Sequence, residues 1–347
     1  MPVVSNHHNK KLTIHDIAEM AGVSAGTVSR VLNNQPGVGT KTREHIQTII
    51  QQQGYRASFF ARSLLARQSF AIGLALSSTA SELFTGPIVP ELVGSIGDAL
   101  ASEGYTLTLI TGTREQRNQR LLHEAAEGRI DGVLLPDIRI GDDIIDTLLA
   151  QETPTVIIGH REDRQEVTWV DCEHDHSAAQ VTRMLIEQGH TRIALVNGPE
   201  EFYACHLRLE GYRSALQERK LDYNSDLVST GPFKSDYGYQ TTSTLLALPP
   251  GERPTAIVAG SDIIAAGCLD AAKSSGLQVP ANLAITGFDD NILSTFTYPP
   301  LTTVKMPLEK MGQVAVSMLI SLIKGEKSEP TSLILPCTII VRASSGV

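Results

Sequence analysis

The first fifty-five residues carry apolar side chains at helical spacing in three short bursts. Ile14, Ile17, Ala18 and Ala21 fall on one face after Thr13-Ile-His-Asp16, a Thr-x-x-acid opening in which side chains cap otherwise orphan backbone N–H groups. Gly22 can adopt the left-handed turn that ends a helix, and Ser24 stands ready to cap a second one almost at once. That second burst turns Val28, Val31 and Leu32 inward and leaves Ala25, Gly26, Ser29, Arg30 and Asn33 outward. A third, about Lys41 to Gln53, adds Ile46, Ile49 and Ile50 before Gly54. Two short helices joined by so tight a glycine turn predict a helix-turn-helix with a small three-helix core.

Beyond Phe70 the pattern changes to apolar runs alternating with amphipathic stretches. Strands are predicted at 71–76, 107–111, 133–136, 155–159, 193–197, 256–260 and 283–288, with helices near 87–102, 117–127, 177–188, 208–219 and 262–275. Such alternation indicates parallel sheets with crossover helices, an α/β fold. Ten or more strands exceed one comfortable open sheet, so two lobes with a cleft at the strand ends are expected.

Charge sharpens the division. Residues 1–68 hold eight Lys/Arg against three Asp/Glu, a net of +5, whereas the remainder holds 21 against 35, a net of −14. A basic head on an acidic body predicts that only the head meets a polyanion. The four cysteines (172, 205, 268 and 337) are scattered without a CxxC pair, which reads as free thiols in a reducing compartment. No apolar run approaches a membrane span, and Met1 to Lys11 is polar, without the apolar stretch of a signal peptide. A disordered arm and a cytoplasmic protein are expected. There is no Gly-x-Ser-x-Gly elbow, P-loop or GxGxxG fingerprint, so neither an enzyme nor a cofactor is expected. Asp171-Cys-Glu-His-Asp-His176 is rich in ligand types, yet acidic residues there suit a strand end entering a helix N-terminus, and no metal site is assigned.

The string from Leu12 to Asn33, continued by Lys41-Thr-Arg-Glu44 and Gly54-Tyr55, closely resembles the headpiece of the lactose/galactose repressor family. That resemblance implies base reading by Ala25, Gly26 and Arg30, and phosphate contacts from Ser24, Thr27, Ser29 and Asn33, with Thr13 at the same DNA-facing end. Arg30 can donate two hydrogen bonds to a guanine edge, while Ala25 and Gly26 can read only by apolar contact or shape. Residues 58–68 resemble the family's hinge helix, which implies close packing at Ala61 and a minor-groove wedge at Leu64. Ala57 stands where the family often has proline.

In the body, Gln188–Leu195, Arg208–Arg213, Gly287-Phe-Asp-Asp290 and Pro299–Val304 are similar to the family's effector domain, which shares the fold of periplasmic sugar-binding proteins. The resemblance implies an effector pocket with Arg208, Asp289 and an aromatic platform at Phe233, and with Pro87 and Ile88 from the opposite lobe. Gly159 and Ser261 depart from residues common in sugar-responsive members. The implied organisation is an arm at 1–11, a helix-turn-helix domain at 12–57, a hinge at 58–68 and an effector and dimerisation domain at 69–345. Within that domain one lobe is expected from 69–170 plus 298–330 and the other from 171–297 plus 331–345. The expected protein is a dimeric, sequence-specific regulator, a repressor by family pattern, holding a palindromic double-stranded operator under control of a small molecule. A sugar or glycoside is the favoured effector. The alternatives are a purine- or nucleoside-responsive regulator of the same family and a binding protein without a transcriptional role.

Overall fold

The computed structural model describes residues 12–32, 35–55, 68–76, 88–136, 139–159, 166–326 and 331–346. The chain divides into two compact units, residues 1–69 and 70–347.

In the first unit α1 spans Ile14–Ala21, α2 Ala25–Leu32 and α3 Thr40–Gln52. Thr13 and Asp16 form the reciprocal cap that their spacing predicts: Asp16 accepts from the Thr13 N–H at 2.7 Å and the Asp16 N–H donates to Thr13 Oγ1 at 3.4 Å. Gly22 ends α1 at φ 65°, its N–H turned back onto the carbonyls of Ala18 and Glu19. Only a residue without Cβ takes that angle at no steric cost. Ile17, Ala18, Val28, Val31 and Ile46 form the core, flanked by Ile14, Ile49, Ile50 and Tyr55.

The second unit contains two six-stranded sheets. The first comprises β1 (Ala71–Leu76), β2 (Thr106–Thr111), β3 (Gly132–Pro136), β4 (Thr155–Ile158), β5 (Thr168–Cys172) and β11 (Ser332–Leu335), in the order β11-β5-β4-β3-β1-β2. The second comprises β6 (Ile193–Asn197), β7 (Val228–Thr230), β8 (Ala256–Ala259), β9 (Ala284–Asp289), β10 (Thr302–Lys305) and β12 (Thr338–Ile340), in the order β12-β10-β9-β8-β6-β7. Neighbouring strands are parallel except β10 and β12, which are antiparallel.

Because side chains alternate across a strand, each sheet feeds two cores. Ile72, Leu74, Leu134 and Val156 meet α4 (Ile88–Ser102) and α12 (Leu308–Ile323) on one face of the first sheet. Ala75, Val133, Leu135 and Ile157 meet α5 (Arg114–Ala126) and α6 (Ile144–Ala150) on the other. The second sheet is wrapped likewise, by α9 (Ser235–Leu246) and α10 (Asp262–Ser274) on one side, with the short α11 (Leu293–Phe296) against α10. On its other side lie α7 (His174–Glu187) and α8 (Tyr203–Glu218). A Cβ on Gly211 would lie 2.0 Å from the Asp175 carbonyl, so its absence lets α7 and α8 touch backbone to backbone.

The chain crosses between the sheets three times, but not where the sequence placed the last two crossings. Residues 298–305 belong with the second lobe, because β10 pairs with β9 (Val304 opposite Phe288). The strand at 332–335 belongs with the first, because β11 pairs with β5 (Leu335 opposite Cys172). Each placement satisfies a row of backbone donors and acceptors that would otherwise form an open edge. The crossings fall between β5 and α7, between β10 and α12, and between β11 and β12. No helix among the described residues is long and apolar enough to cross a membrane.

Candidate functional site

The head presents one helix face. Ser24 caps α2 as its position predicts: its Oγ accepts from the Thr27 N–H at 3.2 Å and lies 2.9 Å from Thr27 Oγ1. Val28 and Val31 point into the core, leaving Ser24, Gly26 and Arg30 exposed and Ala25, Thr27 and Ser29 half-buried along the outer face. Thr13 is exposed at the start of α1. Hydroxyls and free N–H groups at the start of α2 suit a phosphate oxygen, and an exposed guanidinium near its end suits a guanine edge. Asn33, Ala61 and Leu64, like most of the hinge at 58–68 and the arm at 1–11, lie outside the described residues.

In the body, the C-terminal ends of β6, β8 and β9 gather a polar cluster, the place where open α/β sheets bind ligands. Arg208 reaches it from α8 and is buried, with Nη1 donating to the Gly260 carbonyl at 2.6 Å. Its Nη2 faces His174 Nδ1 at 3.5 Å, and its guanidinium stacks 4.0 Å from the centre of the Phe288 ring. Arginine can only donate, so Nδ1 is the acceptor and the His174 proton sits on Nε2, 3.1 Å from Asp171 Oδ1. The buried Arg208 Nε has no hydrogen-bond partner among the described residues.

Asp289 ends β9 at φ 119°, an angle that a non-glycine residue holds only under strain. Its carboxyl is pushed well above the ordinary range by burial and by the neighbouring Asp262. Arg208 and the Asp262 N–H oppose that shift only in part. Asp262, at the start of α10, is itself raised to about 7, chiefly by burial, although it accepts from Thr303 Oγ1 at 2.5 Å and from the Asn291 N–H at 2.9 Å. Phe233 is partly exposed and packs over Gly198, its ring centre 6.0 Å from that of Phe202. Phe202 in turn lies under Arg139 of the first lobe, at 5.4 Å, and Arg139 pairs with Glu201 at 3.4 Å across the lobes.

The expected effector residues are thus brought together in part. Arg208 and Asp289 share one buried charge cluster, and Phe233 flanks β6 just beyond Asn197. Ile88 opens α4 and packs against the first-lobe core. Pro87 lies outside the described residues. Between the start of α4 and the loop after β9 a cavity of about 480 Å³ is lined by Pro90, Glu91, Asp290, Asn291, Ile292, Thr295 and Arg342. Sequence reasoning missed Asp262 and His174 as members of the cluster. The signals available were an acid in the first turn of the apolar helix at 262–274 and the i, i+3 spacing of Asp171 and His174. Donor atoms of Asp171, Cys172 and His174 do converge within 4.8 Å, but both ring nitrogens of His174 are engaged, by Asp171 and Arg208.

Two family models match the chain: "Bacterial regulatory proteins, lacI family" over residues 13–58 and "Periplasmic binding protein-like domain" over residues 182–345. The transcriptional regulator CelR of Thermobifida fusca is 34% identical over 338 residues, covering 96% of this chain and 98% of its own length. The ribose operon repressor of Escherichia coli K12 is 32% identical over 344 residues, covering 96% and 99%. The solved complex of CelR with cellobiose superposes with a TM-score of 0.76 at 33% identity, over 96% of this chain and 100% of that one. The lac repressor dimer bound to operator and the anti-inducer ONPF gives a TM-score of 0.82 at 26% identity, over 97% and 99%. With the reading helix in place, the two-sheet body behind a polar cleft, and regulators similar along the whole length, the chain belongs to the lacI family of bacterial transcription regulators.

Proposed function

We propose that this regulator is a dimeric repressor that holds a palindromic operator through α2 and is controlled by a sugar or glycoside bound between its lobes at Arg208, Asp289 and Phe233. The observation that carries the ligand site is the buried Arg208 Nε without a partner. An unsatisfied buried donor costs about 1–3 kcal/mol, a cost that stability alone does not explain. Asp289, held toward its neutral form, both donates to and accepts from a hydroxyl, and the half-exposed Phe233 ring suits the apolar face of a pyranose. The cellobiose complex of CelR and the name of the ribose operon repressor support a carbohydrate. A purine is the second reading, favoured by the repressor PurR of Proteus mirabilis at 31% identity and by the pairing of an aromatic with an arginine and an acid. In this reading residues 12–57 bind DNA and residues 58–68 become the hinge, in which Ala61 allows the paired helices to pack closely and Leu64 enters the minor groove. Residues 69–345 bind effector and the second subunit, and the protein works in the cytoplasm.

Calorimetric titration with cellobiose, ribose, other mono- and disaccharides, hypoxanthine and guanine tests the reading. One carbohydrate is expected to bind, and to shift operator affinity in a gel-mobility assay. Saturable binding of a purine alone moves the assignment to the second reading.

A further inference from the structure

Two cysteines far apart in sequence meet where the chain passes between the lobes. Cys172 closes β5 and is buried, whereas Cys337, between β11 and β12, is partly exposed. Leu335 lies opposite Cys172 in the ladder, and the Glu173 N–H donates to the Leu335 carbonyl at 3.1 Å. Two residues later Cys337 packs on the same core that buries Cys172, and each thiol is the first influence on the other's acidity. The Ser177 hydroxyl and the Arg208 guanidinium both act to lower the Cys337 thiol. Cys172 Sγ stands 3.6 Å from His174 Nε2. Neither sulfur is needed by the ligand reading given above.

We propose that Cys337 and Cys172 form a peroxide-reactive dithiol, Cys337 being the attacking sulfur and Cys172 the resolving one. The neighbours divide the labour. Cys337 is drawn below the usual thiol range chiefly by the hydrogen bond from Cys172, then by Ser177 and Arg208, against the opposing effect of burial. Cys172 is held well above that range as the donor, with burial and Asp171 adding to the shift. The more accessible of the two, Cys337, is therefore also the more acidic, and the thiolate it yields is the nucleophile. Its sulfur attacks one oxygen of hydrogen peroxide; the O–O bond breaks, and the departing hydroxide takes a proton from solvent, leaving a sulfenic acid on Cys337. The Cys172 sulfur then attacks the Cys337 sulfur as its own proton leaves. The S–O bond breaks and hydroxide departs with that proton as water. Two thiols and one peroxide become one disulfide and two waters, sulfur losing the two electrons that peroxide gains. A dithiol reductant reverses the step by exchange. The bond would tie the β5-to-α7 crossing to the β11-to-β12 crossing, two of the three strands of chain joining the lobes.

The test treats the full reduced chain with increasing hydrogen peroxide, blocks remaining thiols with iodoacetamide and maps non-reducing peptides by mass spectrometry. A linked peptide pair containing Cys172 and Cys337, with the loss of two hydrogens and full reversal by dithiothreitol, is expected. Cys205 and Cys268, both buried, serve as internal references and remain alkylatable only after unfolding. C172S is expected to leave a sulfenic acid on Cys337 that dimedone traps, and C337S to slow peroxide consumption by more than about tenfold. Cys337 passing to sulfinic acid while Cys172 remains a thiol, or Cys205 and Cys268 reacting as fast as Cys337, overturns the proposal. The wild-type map decides by itself, so a variant that fails to fold does not blunt the test. No effector or operator enters it, so its result is independent of the proposed ligand.

Discussion

The guanidinium of Arg208 lies 4.0 Å from the centre of the Phe288 ring while its Nη1 donates to the Gly260 carbonyl at 2.6 Å. These contacts tie α8 to the ends of β8 and β9 with a single plane. A lysine in its place keeps one point charge and loses the flat stack and the reach to His174. Arg208→Lys should therefore lower stability by about 1–3 kcal/mol in urea unfolding and abolish ligand-induced stabilisation in the same experiment. An unchanged midpoint would show that the stack carries little.

The carboxyl pair gives the body a pH dependence of definite sign. Asp262 is raised to about 7 in the folded chain, from an ordinary 3.8. Its folded form therefore binds a proton that the unfolded chain has already released, and its contribution to stability falls as pH rises from about 4 to 7, then levels off. The slope reaches at most about 1.4 kcal/mol per pH unit. In Asp262→Asn the amide nitrogen faces Thr303, whose hydroxyl turns to accept, and the remaining oxygen keeps the Asn291 N–H. That variant should flatten the fall between pH 5 and 7 in urea midpoints. A parallel profile for parent and variant would count against the assignment.

Much of the head was legible because its instructions are local. The Thr13–Asp16 cap, the left-handed Gly22 and the Ser24 cap lie within a few residues of the groups they satisfy. The body was legible as an alternation, since strands buried on both faces read as unbroken apolar runs. Element starts were less so. The helix at 203–218 starts ahead of the 208–219 read from the sequence pattern, and Arg208 is buried inside it. The helix at 308–323 buries Leu308, Met311, Gly312, Ala315, Val316, Met318, Leu319 and Ile320, too wide an arc for an amphipathic stripe. The lobe membership of β10 and β11 depends on which distant strand each one pairs with, and nothing in four residues records that choice. The Arg208–Asp289 cluster was reached through resemblance; its partners Asp262 and His174 required the fold.

Gly198 tests the aromatic wall. A Cβ there would come within 2.3 Å of the Phe233 ring and 2.8 Å of Cys205 Sγ. The partly exposed ring can swing aside, so Gly198→Ala should cost about 1 kcal/mol or a little more in stability. Affinity for the carbohydrate identified by titration should fall about tenfold if Phe233 is the platform, as measured by calorimetry. Unaltered affinity would remove Phe233 from the site.

On the DNA side, Arg30 is exposed and outside the core of its unit. Arg30→Ala should leave the thermal transition of the head in place. On the selected operator it should cost about 1–3 kcal/mol and relax preference at one base position in each half-site. Gel-mobility selection from random duplexes compares parent and variant directly. Equal binding by the two would move base reading to other residues of α2.

The threefold passage of the chain between the sheets bears on how the protein is made. When Cys172 has left the ribosome, five strands of the first sheet exist, yet α12, which shares one of their faces with α4, is still more than a hundred residues from being synthesised. Leu74, Leu134 and Val156 must wait for Met311, Ala315 and Leu319 to close the same core. The nascent chain thus carries a half-covered apolar face, with α4 in place and α12 missing, for several seconds at ordinary elongation rates. The second lobe folds in the meantime, and a trigger-factor-like holdase has a defined surface to shield. Stop codons before about residue 320 leave that surface permanently half-covered, so such truncated products are destined for aggregation or proteolysis, not for partial function.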